Sequence, residues 1–366
     1  MSARLTVGGW IELLDSWYPP AWAEEWDNSG LQIGDRSWPA ERILVALDAT
    51  PEVIREAANR ECRLLVTHHP LLFHPLDRLD LSDAISASVA QALTSRVAVM
   101  ACHTNADVAS PGVTDALVET LGLTTEGVLE ETSAGERVKL VTFVPPEATS
   151  RVLDALAGAG AGEIGEYTES SFRVRGSGTF RPSEAARPTV GVKGRLNEVE
   201  EDRLEMVVPR QKLETAVRFL IKAHPYEEVA YDVYPLVGGG AGLGRIARPP
   251  MPMTAEELAR RCEDRLGLAR LAGDPAAMVR SVALCGGSGA SLTGAALRAE
   301  VDAFVTGDVK HHQALDAEAA GLALIDAGHH GTERPFVDHL AERLAKEGPG
   351  GEVLTSHTST DPFRQR

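Results

Sequence analysis

Histidine and carboxylate side chains crowd into four short stretches of this chain. The first is Thr67-His68-His69-Pro70. Neighbouring histidines on an extended strand point to opposite faces, but a strand end that turns at a proline can present both to one cleft. The second is His103-Thr104-Asn105-Ala106-Asp107, which offers a further imidazole and a carboxylate. The third is Gly328-His329-His330-Gly331-Thr332-Glu333, where a helix beginning near Gly328 puts His329 and Glu333 on one face. The fourth, Asp308-Val309-Lys310-His311-His312, offers a second carboxylate–histidine pair four apart. Neutral imidazoles beside a carboxylate that can bridge are the donor set of a divalent metal site. Eight of the eleven histidines lie in these stretches or at nearby His74, a concentration that core packing does not explain. Five or more nitrogen and oxygen donors favour two ions, with a single ion as the alternative. Cysteine is absent from all four stretches, which points to Mn, Fe, or Zn with histidine and carboxylate ligands.

Other motifs carry less. Cys285-Gly286-Gly287-Ser288-Gly289 could form an anion-binding nest, but it lacks the lysine of a phosphate loop, and a plain tight turn is the simpler reading. Residues 24–34 (EEWDNSGLQIG) have turn chemistry at Asn28–Gly30, with Trp26 as a packing residue. Residues 224–228 (HPYEE) read as a structural or capping element.

The elements that must position these donors alternate in type. In the first third, short apolar runs at 41–50, 63–70 and 96–107 are separated by helix-like segments, and the last third repeats the style. Such alternation predicts βαβ units, in which ligands collect where strands end. Three of the four clusters lie just beyond apolar runs. One mainly parallel sheet built from both ends of the chain would bring them to a single edge. The middle differs. KLVTFVP (139–145) aligns with RLEMVVP (203–209) at an offset of 64, and the helical stretches from Thr149 and Leu213 superpose with them, as do EIGEY and EEVAY. Two strand–helix–strand copies predict a ferredoxin-like α+β unit, flanked by linker-like segments at 130–136 and 237–244. The expected organisation is a discontinuous α/β core, 1–130 and 240–366, made of two similar halves, with the α+β unit inserted at 137–237.

Composition narrows the classes. At 366 residues with 43% hydrophobic and 24% charged, the chain is that of a folded globular protein. A net charge of −17 argues against non-specific nucleic-acid binding. No apolar run approaches the ~20 residues of a membrane helix, and the four scattered cysteines suggest no disulfide framework. The expectation is a reduced, cytoplasmic protein.

With these residues lined up, the chain resembles the Nif three-like (NGG-one-interacting-factor-three-like) dinuclear metal-centre family, also catalogued as GTP cyclohydrolase 1 type 2 homologues. The resemblance is carried by EEWDNSGLQIG, LLVTHHPLLF, ACHTNADVASPGVTDAL, LCGGSGASL, FVTGDVKHH and IDAGHHGTERPFV, in that order along essentially the whole chain. The middle segment resembles the P-II and CutA-like insert of the longer bacterial members, through RGSGTF and AHPYEEVAYDVYPL. It departs at Ser170-Ser171-Phe172, where a cysteine would precede the aromatic. The resemblance implies two divalent ions on His68, His69, Asp107, His329 and Glu333. His69 and Asp107 would hold one ion, His68 and His329 the other, and Glu333 would bridge. Glu333, His103 and His312 become candidates for catalytic roles, with Asp308 beside them. It further implies a homohexameric ring, a trimer of dimers, and a metal-dependent hydrolase that opens the imidazole ring of GTP and releases formate. The rival class is a non-catalytic toroidal metal scaffold whose P-II-like insert senses a metabolite. In either case the partners are copies of the chain and a small molecule or nucleotide, with no membrane.

Overall fold

The computed structural model describes residues 5–132, 136–164, 167–236 and 241–363. The chain divides into two compact units, Met1–Thr132 with Gly240–Arg366, and Ser133–Gly239. Parts of the stretches read as linkers, 133–135 and 237–240, lie outside the described residues.

The first unit contains two large sheets, where the sequence suggested one. The five-stranded sheet runs Gly30–Ile33, Ala98–Ala101, Leu64–Thr67, Arg42–Ala46 and Glu352–Thr355. All neighbours are parallel except the antiparallel edge strand Gly30–Ile33. The six-stranded sheet runs Arg270–Ala272, Ala323–Asp326, Ala303–Thr306, Val282–Leu284, Gly242–Arg248 and Thr124–Glu131, with a parallel centre of three strands. Each sheet takes one strand from the other end of the chain: Glu352–Thr355 completes the first, and Thr124–Glu131 the second. The two ends are therefore interlocked by strand exchange rather than joined in a continuous sheet.

Central parallel strands are covered on both faces, so they read as unbroken apolar runs. In Leu64–Thr67, Leu64 and Val66 face one core and Leu65 the other. Helix Val113–Thr120 links the two sheets. Its Val113 and Ala116 join the core beneath the first, whereas Leu117 and Val118 join that of the second. The long helix His329–Glu347 lays Phe336, Val337, Leu340 and Leu344 on the first core, which fixes its N-terminal turn beside the strand ends.

The second unit has a βαββαβ order and one antiparallel sheet, arranged Ser171–Phe180, Asn197–Pro209, Arg137–Val144, Tyr231–Pro235. That is the split βαβ arrangement of ferredoxin-like units. The offset of 64 appears in three dimensions: single 3₁₀ turns at Pro146–Ala148 and Arg210–Lys212 lead into helices Thr149–Gly158 and Leu213–Ala223. Register then drifts. The last strand starts at Tyr231, but its counterpart starts at Ser171, four residues beyond the aligned Tyr167. Among the described residues, no helix is long and apolar enough to cross a membrane.

Candidate metal centre

His68 and His69 follow the strand Leu64–Thr67 at its C-terminal end, as the spacing predicts. The backbone turns so that both rings face one cleft. His68 is 1% exposed, and its Nδ1 lies 2.9 Å from the carbonyl of Cys102. A carbonyl can only accept, so Nδ1 carries a proton and Nε2 is the ring nitrogen turned to the cleft. The His69 backbone N–H donates to the Leu47 carbonyl, and its Nδ1 lies 2.8 Å from Asp48 Oδ1. His329 opens the long helix, and its Nδ1 lies 2.7 Å from Asp308 Oδ2. All three rings thus spend Nδ1 on an outward acceptor and turn Nε2 inward, the arrangement by which outer carboxylates orient metal-binding histidines.

The inward atoms converge on Glu333, one turn along the helix from His329. Glu333 Oε1 is 3.1 Å from His329 Nε2 and 3.6 Å from His68 Nε2, and Oε2 is 3.1 Å from His69 Nε2. Asp107, on the short helix Thr104–Val108, brings Oδ1 to 3.9 Å from His68 Nε2. The Nε2 atoms of His69 and His329 are only 3.4 Å apart. Glu333 Oε1 thus faces both His329 and His68, while Oε2 faces His69.

The donor set fits a cation. The Nε2 of His68 and the Oε2 of Glu333 are buried without a hydrogen-bond partner, a costly state unless something positive lies between them. The donor atoms of His69, His329 and Glu333 lie within 4.8 Å of one another, as do those of His68, His69 and His103. Burial opposes a charge on His69, but Asp48 and Glu333 outweigh it and lift its pKa to about 10. Hydrogen bonding to Glu333, helped by Asp308 and opposed by burial, lifts His329 to about 9. Glu333 is pulled well below the usual carboxylate range by the three imidazoles, against the burial that would raise it. Burial raises Asp107, and Glu333 adds to that.

These shifts have a signed consequence. In metal-free protein, imidazolium–carboxylate contacts stabilise the fold fully below the ordinary histidine pKa of ~6.5 and are lost as pH rises through about 9 and 10. The melting temperature of chelator-treated protein is expected to fall between pH 7 and 10. Metal-loaded protein, whose nitrogens would bind as neutral donors, is expected to hold steady over that range. A flat profile for the chelated protein would contradict this.

Two supporting carboxylates escaped the sequence reading. Asp48 and Asp27 sit after an apolar run and in a turn, and nothing local marks either as a histidine partner. Asp27 Oδ1 is 2.7 Å from His103 Nδ1, while Thr104 Oγ1 donates to its Oδ2, and the carboxyl is held below its usual range despite burial. Gly287, in the motif weighed as anion nest or tight turn, has φ +63°, and a Cβ there would collide with Glu333 Oε1. Its role is to leave room for that carboxylate. Asp308, expected to pair with His312, bonds His329 instead, because the helix starts only at His311 and Asp308 lies outside it with φ +55°. His312 is exposed and packs on His311.

A Mycobacterium leprae protein named GTP cyclohydrolase 1 type 2 homolog is 41% identical over 372 residues, covering 99% of this chain and 96% of that one. The protein of that name from Halalkalibacterium halodurans is 39% identical, covering 96% and 97%. Among solved structures, a Bacillus cereus protein related to NIF3 is 37% identical with a TM-score of 0.76, covering all of both chains. A Staphylococcus aureus protein is 27% identical with a TM-score of 0.80, covering 99% of each. The model of the family described as Duf34/NIF3 (NGG1p interacting factor 3) matches residues 5–362, and the chain belongs to that family.

Proposed function

We propose that the protein is a hydrolase working with two divalent ions of Zn, Fe or Mn. The observation that carries this reading is the convergence of three inward Nε2 atoms on Glu333, with His68 Nε2 and Glu333 Oε2 buried and lacking hydrogen-bond partners. As the family resemblance implies, His69 and Asp107 would hold one ion and His68 and His329 the other, with Glu333 shared. Bound there, divalent ions would supply a water of lowered pKa and polarise an acceptor on the substrate. His103 handles protons. Asp27 fixes its Nδ1, which leaves Nε2 available, and its ring lies 5.2 Å from that of His68 and 5.7 Å from that of His69.

Substrate enters beside His69 and His329 through a cavity of about 760 Å³, large enough for a nucleobase or nucleoside. Asp48, Asp308, Asp326 and Asp361 line it, and the one arginine that lines it among the described residues, Arg270, is paired with Asp326. That lining suits a neutral or cationic ring better than a polyphosphate. Opening of the GTP imidazole ring, with water consumed and formate released, is the specific reaction that the relatives' name suggests. In it the base occupies the cavity and the phosphates point outward. The resemblance also supports a homohexameric ring, and light scattering at the mass of a monomer or dimer would exclude it.

The test is direct. Metal-supplemented protein is incubated with GTP, guanosine and simple phosphoesters, and products are identified by mass. Turnover that disappears in Glu333→Ala supports the hydrolase. Two bound equivalents with no turnover of any substrate points to the scaffold. His103→Asn is expected to slow turnover about 10²-fold while both metal equivalents stay bound, as loss of a proton-transfer group should. Loss of metal in that variant would move His103 into the ligand set.

A further inference from the structure

Beyond the last strand, Glu352–Thr355, the chain is tied down residue by residue. Glu56, on helix Pro51–Asn59, accepts from Ser356 Oγ at 2.6 Å, from the backbone N–H of His357 at 3.0 Å and from Thr358 Oγ1 at 2.8 Å. Arg60 braces this anchor by donating to Glu56 Oε1 at 2.7 Å and to the Thr355 carbonyl at 2.9 Å. The segment is thereby carried across the strand ends to Asp48. There Thr360 Oγ1 donates to Asp48 Oδ2, while Asp48 Oδ1 faces His69 Nδ1 at 2.8 Å. Both carboxylate oxygens of Asp48 are engaged, one by the tail and one by the histidine. Beyond Thr360, Asp361, Pro362 and Phe363 continue along the wall of the cavity.

We propose that this C-terminal segment is a working part of the metal centre and that Thr360 is a positioning residue, orienting His69 through Asp48. The proposal rests on the metal reading above. A carboxylate held on one oxygen alone can swing about its last torsion, whose energy profile is broad. The Thr360 hydroxyl removes that freedom, so the plane of Asp48, and with it the ring of His69, is set before a metal arrives. The His329 side differs. Asp308 is half exposed, and among the described residues His329 is the side chain it bonds. Loss of the hydroxyl should therefore be felt through His69, at the ion it would share with Asp107, and should spare the ion on His68 and His329.

The experiment is a titration of chelated full-length protein with Zn²⁺ alone against a competing chelator, comparing the parent with Thr360→Val, Thr360→Ser and Asp48→Asn. Valine keeps the shape and removes the donor, and serine keeps the donor. In Thr360→Val one of two equivalents is expected to weaken by about 10–100-fold, the usual effect of losing an outer partner, with the other unchanged. Asp48→Asn should weaken the same equivalent, and Thr360→Ser should restore parental binding. Melting of the metal-free forms is measured alongside. A Thr360→Val chain that binds both equivalents as the parent does, or loses both together, would overturn the proposal. So would a serine variant that behaves like valine. A parent that binds less than one equivalent would instead sink the metal reading on which the proposal stands, and that failure shows before any variant is made.

Discussion

Glu333→Ala is expected to leave protein that retains less than one equivalent of metal per chain. Glu333 is the side chain that all three inward imidazoles approach, within 3.1–3.6 Å, and it supplies one oxygen toward His329 and His68 and the other toward His69. Its removal takes a donor from both halves of the cluster at once. The loss in affinity should therefore exceed the roughly 10–100-fold seen when an outer partner is deleted. The fold should suffer as well. Glu333 is buried and its carboxyl is held well below its ordinary value, so it stabilises the native state above a pH of ~4.5 and that contribution fades as pH falls. Without it, the imidazoles lose their shared counter-charge, and breaking such a buried pairing costs about 3–5 kcal/mol. Elemental analysis after metal supplementation, with urea unfolding of the same samples, reads both effects. Two equivalents retained in Glu333→Ala would refute the assignment of Glu333 as the shared ligand.

The second large effect is expected far from the metal donors. Arg245 is 1% exposed and reaches Asp115 with two bonds, Nε to Oδ1 at 2.9 Å and Nη2 to Oδ2 at 2.8 Å. Its remaining donors satisfy the carbonyls of Gly242, Gly244 and Ala109. Asp115 in turn accepts from the Gly112 backbone N–H at the start of helix Val113–Thr120. One guanidinium thus ties strand Gly242–Arg248 of the second sheet to the helix that links the two sheets. Arg245→Met keeps much of the volume but leaves a carboxylate and three carbonyls without their donor. We expect destabilisation of about 3–5 kcal/mol, since the penalty is that of an orphaned buried charge rather than the net worth of the pair. Adding Asp115→Leu should recover part of it, because the orphaned charge is then gone. A single variant within 1 kcal/mol of the parent in denaturant unfolding would exclude this role.

Much of the centre was readable before any fold was known. His68 and His69 follow an apolar run and precede a proline, so strand-end placement is a local property of the chain. His329 and Glu333 are one helical turn apart, and helix periodicity alone puts them on one face. The repeat in the second unit was equally local, because each copy rebuilds the same strand, turn and helix from its own residues.

What tertiary structure decided was adjacency. Apolar runs specify strands but not their neighbours, so the sequence could not reveal that Glu352–Thr355 and Thr124–Glu131 each complete the sheet of the other end of the chain. Hydrogen-bond partners followed the same rule. Asp308 lies four residues from His312 yet bonds His329, and Asp48 serves His69 and Thr360 from 21 and 312 residues away. That Asp107 comes to rest beside His68 likewise depends on how its short helix packs. A side chain's face follows from the backbone period within its own element, but its partner depends on packing between elements, and packing is a property of the folded whole.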